Sequence, residues 1–403
     1  MLRSNASPQP AGRSSGPRSS DRPNVVSAAS RAPADRAAAP FPFAHAGRFA
    51  AVGVGGAGVG AVLRLRDAAP DGLRFVALDS SAQVLQQARG RAEADLSLPP
   101  LATVLLGVGT GGLGTGGDTD LAASAAREAA IAIIDAVGPA EVVLLAGGLA
   151  GGTGGGATPE VARLLRAAGY VVIGFGIMPF GFESAPRRRR AELALEQLRT
   201  ACDTTLALDN DRLLGLGETD VTLDVALRVA DDVIRQTAAG LLALADCEGW
   251  LRLDLPTAGE LLVAGGDACL ALGLGRGPQP AGRAMRAALA SPLTDMRALR
   301  QARAVLVQVA GDASLGLHDV ADAVAILQTL LPADCRVMAG VALDPTLGGA
   351  VQVMLLGVGL PGPVRLHQPQ RKTQGLLQLL PRRLHLDLER GAYSFDPPLR
   401  QVG

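Results

Sequence analysis

Three glycine-rich turns, each directly behind an apolar run, constrain this chain more than any other feature. The first is "GVGGAGVG", Gly53 to Gly60. The second is "GVGTGGLGTGGD", Gly107 to Asp118, and the third is "GLAGGTGGG", Gly148 to Gly156. Glycine costs an ordered chain conformational entropy, so this density calls for a reason. In a parallel sheet such turns gather at the carboxyl edge, where ligands bind. A bare backbone lets main-chain amides converge, and amides converging at a helix N-terminus form an anion site. The turns therefore predict a polyphosphate guest.

One count narrows the chemistry. Lys372 is the only lysine among 403 residues. The loop G-x-x-x-x-G-K-[ST] is therefore excluded. Phosphate would be held by amides, by hydroxyls such as Thr115 and Thr153, and by arginine. Taken alone, the first turn also fits G-x-G-x-x-G at Gly53, Gly55 and Gly58, with Asp79 ending the next strand. That is the layout of a dinucleotide fold, and it keeps an NAD-dependent oxidoreductase open as a remote alternative. It leaves the second and third turns unexplained.

The texture around the turns predicts an α/β chain. "RFAAVGVGG", "GLRFVALDSS", "VLLGVGTGG", "AEVVLLAGG" and "YVVIGFGIMPF" read as near-continuous apolar strands. "LAASAAREAAIAIIDAVG" and "TPEVARLLRAAG" read as helices between them, so the sheet is parallel. "TLDVALRVADDVIRQTAAGLLALAD" has one apolar and one polar face at helical spacing and reads as a long central helix. A second α/β unit follows, with strands "RAVLVQVAG", "CRVMAGVALD" and "AVQVMLLGVG" and helices "GRAMRAALAS" and "HDVADAVAILQTLL". The expected division is a Ser/Pro/Ala/Arg-rich disordered extension over 1–45, a first domain over 46–220, the central helix over 221–247, a second domain over 248–363 and a tail over 364–403. The extension is poor in acids, which also fits a transit peptide.

Aromatics make up 3% of the chain and hydrophobic residues 48%, so the core is aliphatic. Net charge is zero, which argues against nucleic acid as a partner. The four cysteines, Cys202, Cys247, Cys269 and Cys335, contain no CxxC pair. They suit a reducing compartment and no zinc site.

In order along residues 46 to 360, these segments resemble the tubulin/FtsZ superfamily, with bacterial FtsZ as the nearer relation. "GLAGGTGGGATP" is similar to the tubulin signature, with Ala150 replacing one glycine. "AVGVGGAGVGAV", "FVALDSSAQVL", "GLGTGGDTDLA", "MPFGFE", "DNDRLL", "SPL" and "ALDP" also match family segments. The resemblance implies a parallel Rossmann-like GTP-binding domain, a central long helix and a second α/β domain. It implies GTP or GDP with Mg2+, head-to-tail self-association into filaments, and a GTPase site completed by a loop from the next subunit. It implies a cytoplasmic cytoskeletal protein that acts in cell division or membrane-associated assembly. Another FtsZ is a further candidate partner.

Carried over by position, phosphate contacts fall to Gly55, Gly56, Thr115, Gly116, Gly152, Thr153 and Gly154. Glu183 and Arg187 lie near the ribose and phosphates. Arg187 also opens the run "RRRR", whose plain reading is a solvated helix start. Asn210 touches purine or sugar. Asp231 reads guanine, whose N1–H and N2–H lie side by side for a carboxylate to accept. Its plain reading is a solvated helix aspartate.

The departures bear on activity. Leu227 stands where the family carries an aromatic residue against the base. Gly60 replaces an asparagine, and Ser81 replaces an aspartate. The catalytic loop, roughly Asn-x-Asp-x-x-Asp in FtsZ, reads Arg252, Asp254 and Thr257 here. Threonine cannot act as a base at neutral pH, and losing such a group costs ~10²–10⁴ in rate. Arg252 offers a transition-state cation or is a surface arginine at a subunit seam. The expectation is slow hydrolysis, with a non-hydrolysing assembly partner of a regular FtsZ as the alternative. The tail "LLPRRLHLDLERGAYSFDPPLRQ" is short and no clear match to an adaptor-binding peptide. It is left between a docking segment for a partner or membrane surface and a packed extension.

Overall fold

The computed structural model describes residues 49–67, 73–215, 233–241, 262–263, 265–291, 294–361, 384–387 and 392–395. The expected extension over 1–45 and most of the tail lie outside the described residues. So do Leu227, Asp231, Arg252, Asp254 and Thr257.

Six strands alternate with helices in the first half. β1 (Phe49–Val54), β2 (Leu73–Asp79), β3 (Leu101–Leu105), β4 (Val142–Gly148), β5 (Val171–Met178) and β6 (Thr204–Asp209) are joined through α1 (Gly55–Arg66), α2 (Ala82–Glu93), α3 (Thr119–Glu128), α4 (Ala130–Val137), α5 (Gly152–Ala167) and α6 (Ala185–Ala201). Their spatial order is β3-β2-β1-β4-β5-β6, and every pairing is parallel. This is the doubly wound order whose direction reverses between β1 and β4. The crevice beyond the carboxyl ends of those two strands is where such sheets bind ligands.

The sheet continues into the second half. β7 (Gly266–Gly275) pairs parallel with β6 through three residues. β10 (Val351–Val358) lies antiparallel to β7 and to β8 (Ala304–Gly311), and β9 (Arg336–Leu343) is parallel to β8. α7 (Pro280–Ala290), α8 (Met296–Leu299) and α9 (Leu317–Gln328) accompany these strands. The second unit is thus α/β with a mixed sheet. A separate hairpin pairs β11 (Leu384–Asp387) with β12 (Ala392–Phe395) inside the segment read as the tail.

Side-chain alternation explains the double burial. Phe49 and Ala51 of β1 enter one core, and Ala50, Val52 and Val54 enter the other. The first core includes Val233, Ile234, Ala238 and Leu241 of a helical segment over 233–241, together with Leu206, Leu270 and Leu356. That segment therefore packs on strands of both halves. The second core joins Val143, Leu145 and Val172 to α3, α5 and α6.

Two local readings need correction. The single helix expected from Leu121 to Gly138 is two, broken at Ala129 (φ −88°, ψ 8°). The third glycine cluster is no simple turn, because α5 starts at Gly152 and runs through Pro159. Glycine is a poor helix former, so tertiary packing has overridden propensity here. A Cβ on Gly154 would collide with the carbonyl oxygen of Gly148, and one on Gly156 with that of Thr119. One on Gly155 would lie 2.6 Å from the Leu149 oxygen. These glycines let the first turns of α5 press directly onto the end of β4 and the start of α3.

Candidate functional site

The site is built where β1 and β4 end. α1 begins immediately at Gly55, whose φ of +71° suits glycine. A Cβ there would sit 2.9 Å from the amide nitrogen of Gly154 in the first turn of α5. Two helix N-termini thus meet at one point. Neither Val54 nor Gly151, the two N-cap residues, supplies a side-chain cap. No acidic residue lies in either first turn. Two positive helix ends facing each other repel unless an anion lies between them. The contrast with α3 is direct, where Asp118 caps the amides of Asp120 and Leu121 at 2.9 Å.

The second glycine loop closes against the same point. A Cβ on Gly152 would lie 2.7 Å from the Cα of Gly117 and would collide with Thr115 Oγ1. Thr115 itself is buried, and its carbonyl accepts the amide of Asp118 at 2.9 Å. The half-buried Thr153 shares a 2.6 Å hydrogen bond with Ser80 Oγ, linking the loop after β2 to the start of α5. Gly56 and Gly116 differ from the packing glycines, because a Cβ on either would meet nothing within 4 Å. They bound a cradle that side chains would fill.

Ribose- and base-side candidates approach from β5 and β6. Glu183 forms an ion pair with Arg187 Nε at 2.9 Å, and its Oε1 accepts the amide of Phe180 at 3.0 Å. Ser184 caps α6. The "RRRR" run resolves into separate roles. Arg187 is exposed beside Glu183, Arg188 is half-buried between Asp209 and Asp211, and Arg190 donates to the carbonyl of Gly117 at 3.3 Å. Asn210 is buried, and its Oδ1 has no hydrogen-bond partner among the described residues.

Asp79 is buried, and its carboxylate accepts the amide of Ser81 at 2.8 Å. Burial pushes its pKa up, against the opposing amides of Ser81 and Ser80. Of the sequence-predicted residues, Gly55, Gly152, Thr153 and Gly154 meet at the α1–α5 junction. Thr115 and Gly116 lie on the loop that closes over it, and Gly56 lies on its open side. Arg188, Asp209 and Asp211 were missed by reading the sequence. The signal that could have found them is an Asp-x-Asp pair flanking Asn210 in "DNDRLL".

This arrangement suits a polyphosphate with a nucleoside at one end. Uncapped amides and an open glycine cradle fit phosphate oxygens, and the orphaned acceptor of Asn210 fits a donor N–H or O–H. Comparison with known families agrees with this layout. Residues 48–218 match the family model described as Tubulin/FtsZ family, GTPase domain. Residues 266–361 match the FtsZ family, C-terminal domain.

The chain belongs to the tubulin/FtsZ superfamily. Membership implies guanine-nucleotide binding by a cytoskeletal protein. Among solved structures, an empty FtsZ dimer from M. jannaschii is 29% identical, with a TM-score of 0.70 over 77% of this chain and 88% of that one. A point mutant of FtsZ from M. jannaschii is 28% identical, with a TM-score of 0.71 over 79% and 93%. The GTPgS-bound CetZ2 protofilament from Haloferax volcanii, at 21% identity, shares the superfamily fold, with a TM-score of 0.62 over 77% and 93%. Among the described residues, no helix is long and apolar enough to cross a membrane.

Proposed function

We propose that this protein binds GTP at the α1–α5 junction, assembles head-to-tail into filaments, and hydrolyses GTP slowly at the seam between subunits. The observation that carries the reading is the meeting of two uncapped helix N-termini beside the open cradle of Gly56 and Gly116. In this reading, amides of Gly55, Gly56, Gly116, Gly152 and Gly154 and the hydroxyls of Thr115 and Thr153 hold the phosphates. Mg2+ accompanies the triphosphate and offsets its charge. Glu183 and Arg187 lie along the ribose side, and Asn210 meets sugar or purine. Asp231 selects guanine through its paired N–H donors, with Leu227 giving the base apolar contact in place of stacking.

Self-association draws support from apolar surface on the rim. Leu113, on the second glycine loop, is 90% exposed, and Phe182, beside Glu183, is 69% exposed. A second copy seated on this rim would remove both from water. The incoming subunit would bring Asp254, Thr257 and Arg252 to the γ-phosphate. One carboxylate in place of two makes the step slow. It also favours the second reading, a GTP-binding assembly partner of another FtsZ that does not hydrolyse. The proposal includes a cytoplasmic place and a role in division or membrane-associated assembly, which the likeness to FtsZ supports.

Light scattering and phosphate release, measured together with GTP and magnesium, test the proposal. Scattering with slow phosphate release supports the first reading. Scattering without release supports the second, and neither signal defeats both.

A further inference from the structure

We propose that Arg188 is a positioning residue for nucleotide binding, acting through Asn210. The inference rests on the GTP-binding reading above. Arg188 Nη1 donates to Asp211 Oδ2 at 2.7 Å, and Nη2 donates to Asp209 Oδ2 at 3.1 Å. The same Nη1 reaches the carbonyl of Pro179 at 3.3 Å. Nε faces Glu192, one turn along α6, at 3.6 Å. The two carboxylates are 1% exposed and the guanidinium side chain is 15% exposed. Asp211 Oδ1 in turn accepts the amide of Gly181 at 2.6 Å.

One cation therefore joins three segments: α6, the loop over 179–183 that carries Glu183, and the turn after β6 that carries Asn210. Asn210 sits between the two clamped aspartates, so its backbone is held from both sides. Its own Oδ1 takes no part in the cluster and stays unsatisfied among the described residues. A buried acceptor without a partner is costly, and a nucleoside donor would satisfy it. Two neighbouring buried carboxylates repel without a cation between them. An apolar group could fill the same volume as stably, so stability alone does not call for a charged cluster here. Holding Asn210 in place before binding spares the ordering cost at the moment of binding.

A double-mutant cycle on the full chain tests this. Arg188→Met, Asn210→Ala and their combination are titrated with GTP and, separately, with tripolyphosphate. Each single variant is expected to weaken GTP about tenfold. The combination is expected to be no weaker than the worse single, because both act through one contact. Tripolyphosphate, which has no nucleoside, should bind all three as it binds the wild type. Losses that multiply to about a hundredfold, or an equal loss of tripolyphosphate, would overturn the positioning role. Should Arg188→Met not fold, Asp209→Asn removes one charge and keeps an acceptor oxygen. It should weaken GTP in the wild-type background and leave the Asn210→Ala background unchanged; equal losses in both would overturn the role. A wild-type chain that binds no GTP defeats the underlying functional reading before any variant is compared.

Discussion

Ser80 Oγ lies 2.6 Å from Thr153 Oγ1, across a sequence separation of 73 residues. The bond ties the loop after β2 to the first turn of α5. Ser80 is fully buried, so its hydroxyl has few other uses. Ser80→Ala should cost about 1 kcal/mol of stability. It should also weaken GTP by a few-fold, because Thr153 loses its orientation. Chemical denaturation and a GTP titration read the two effects, and unchanged values for both would remove the hydroxyl pair from the account.

Glycines in the cradle divide into two kinds, and substitution should separate them. Gly154→Ala places a methyl against the Gly148 carbonyl, and Gly156→Ala places one against Thr119. Each should destabilise by about 1–3 kcal/mol through overpacking. Gly56 lies within α1 with nothing near its missing Cβ. Gly56→Ala should leave the fold unchanged or stabilise it by about 0.5–1 kcal/mol, yet weaken GTP by filling the cradle. Thermal melts with and without GTP distinguish the classes. A Gly56→Ala variant with full GTP affinity would argue that phosphate lies elsewhere.

Asp79 should make stability fall with rising pH. Its folded-state pKa is raised above 3.8 by burial, so the folded chain keeps this proton to higher pH than the unfolded chain. Its contribution is most favourable below the unfolded pKa and declines as pH rises through the folded one. Asp79→Asn should therefore raise the melting temperature at pH 7, with the gain vanishing below about pH 4. A variant that melts lower at pH 7 would show that the Ser80 and Ser81 amides outweigh the burial.

The parallel sheet was legible because its strands are apolar on both sides, as Val142–Ala146 and Val171–Ile173 show. β6 and β7 were not read as strands. "TTLALD" is short, and the glycines of "GDACLALGLG" obscure its apolar run. The start of α5 was missed because Pro159 looks like a first-turn residue and glycine like a turn former. Only the collision of a Cβ with the Gly148 and Thr119 carbonyls explains why glycine is used inside that helix. In the site, the glycine turns and Asn210 stood out by motif. The clamp of Arg188 on Asp209 and Asp211 did not, because its partners lie 21 and 23 residues away. The Asp-x-Asp pair around Asn210 marks the acceptors, but spacing along the chain does not point to Arg188 as their cation.

In the proposed function the loop carrying Arg252, Asp254 and Thr257 is catalytic, and Thr257→Asp would give it a second carboxylate. Phosphate release under assembling conditions should rise at least about tenfold. The rise should depend on protein concentration, since in the proposed function the loop acts on the neighbouring subunit. An increase that is independent of assembly would place Thr257 away from the seam.

Equilibrium titration of the full chain with GTP, ATP and NAD, with magnesium present, probes the main-chain phosphate cradle most directly. The account predicts tight binding of GTP, with ATP weaker by at least about a hundredfold and NAD weaker still. NAD binding as tightly as GTP, or GTP failing to bind, would contradict it.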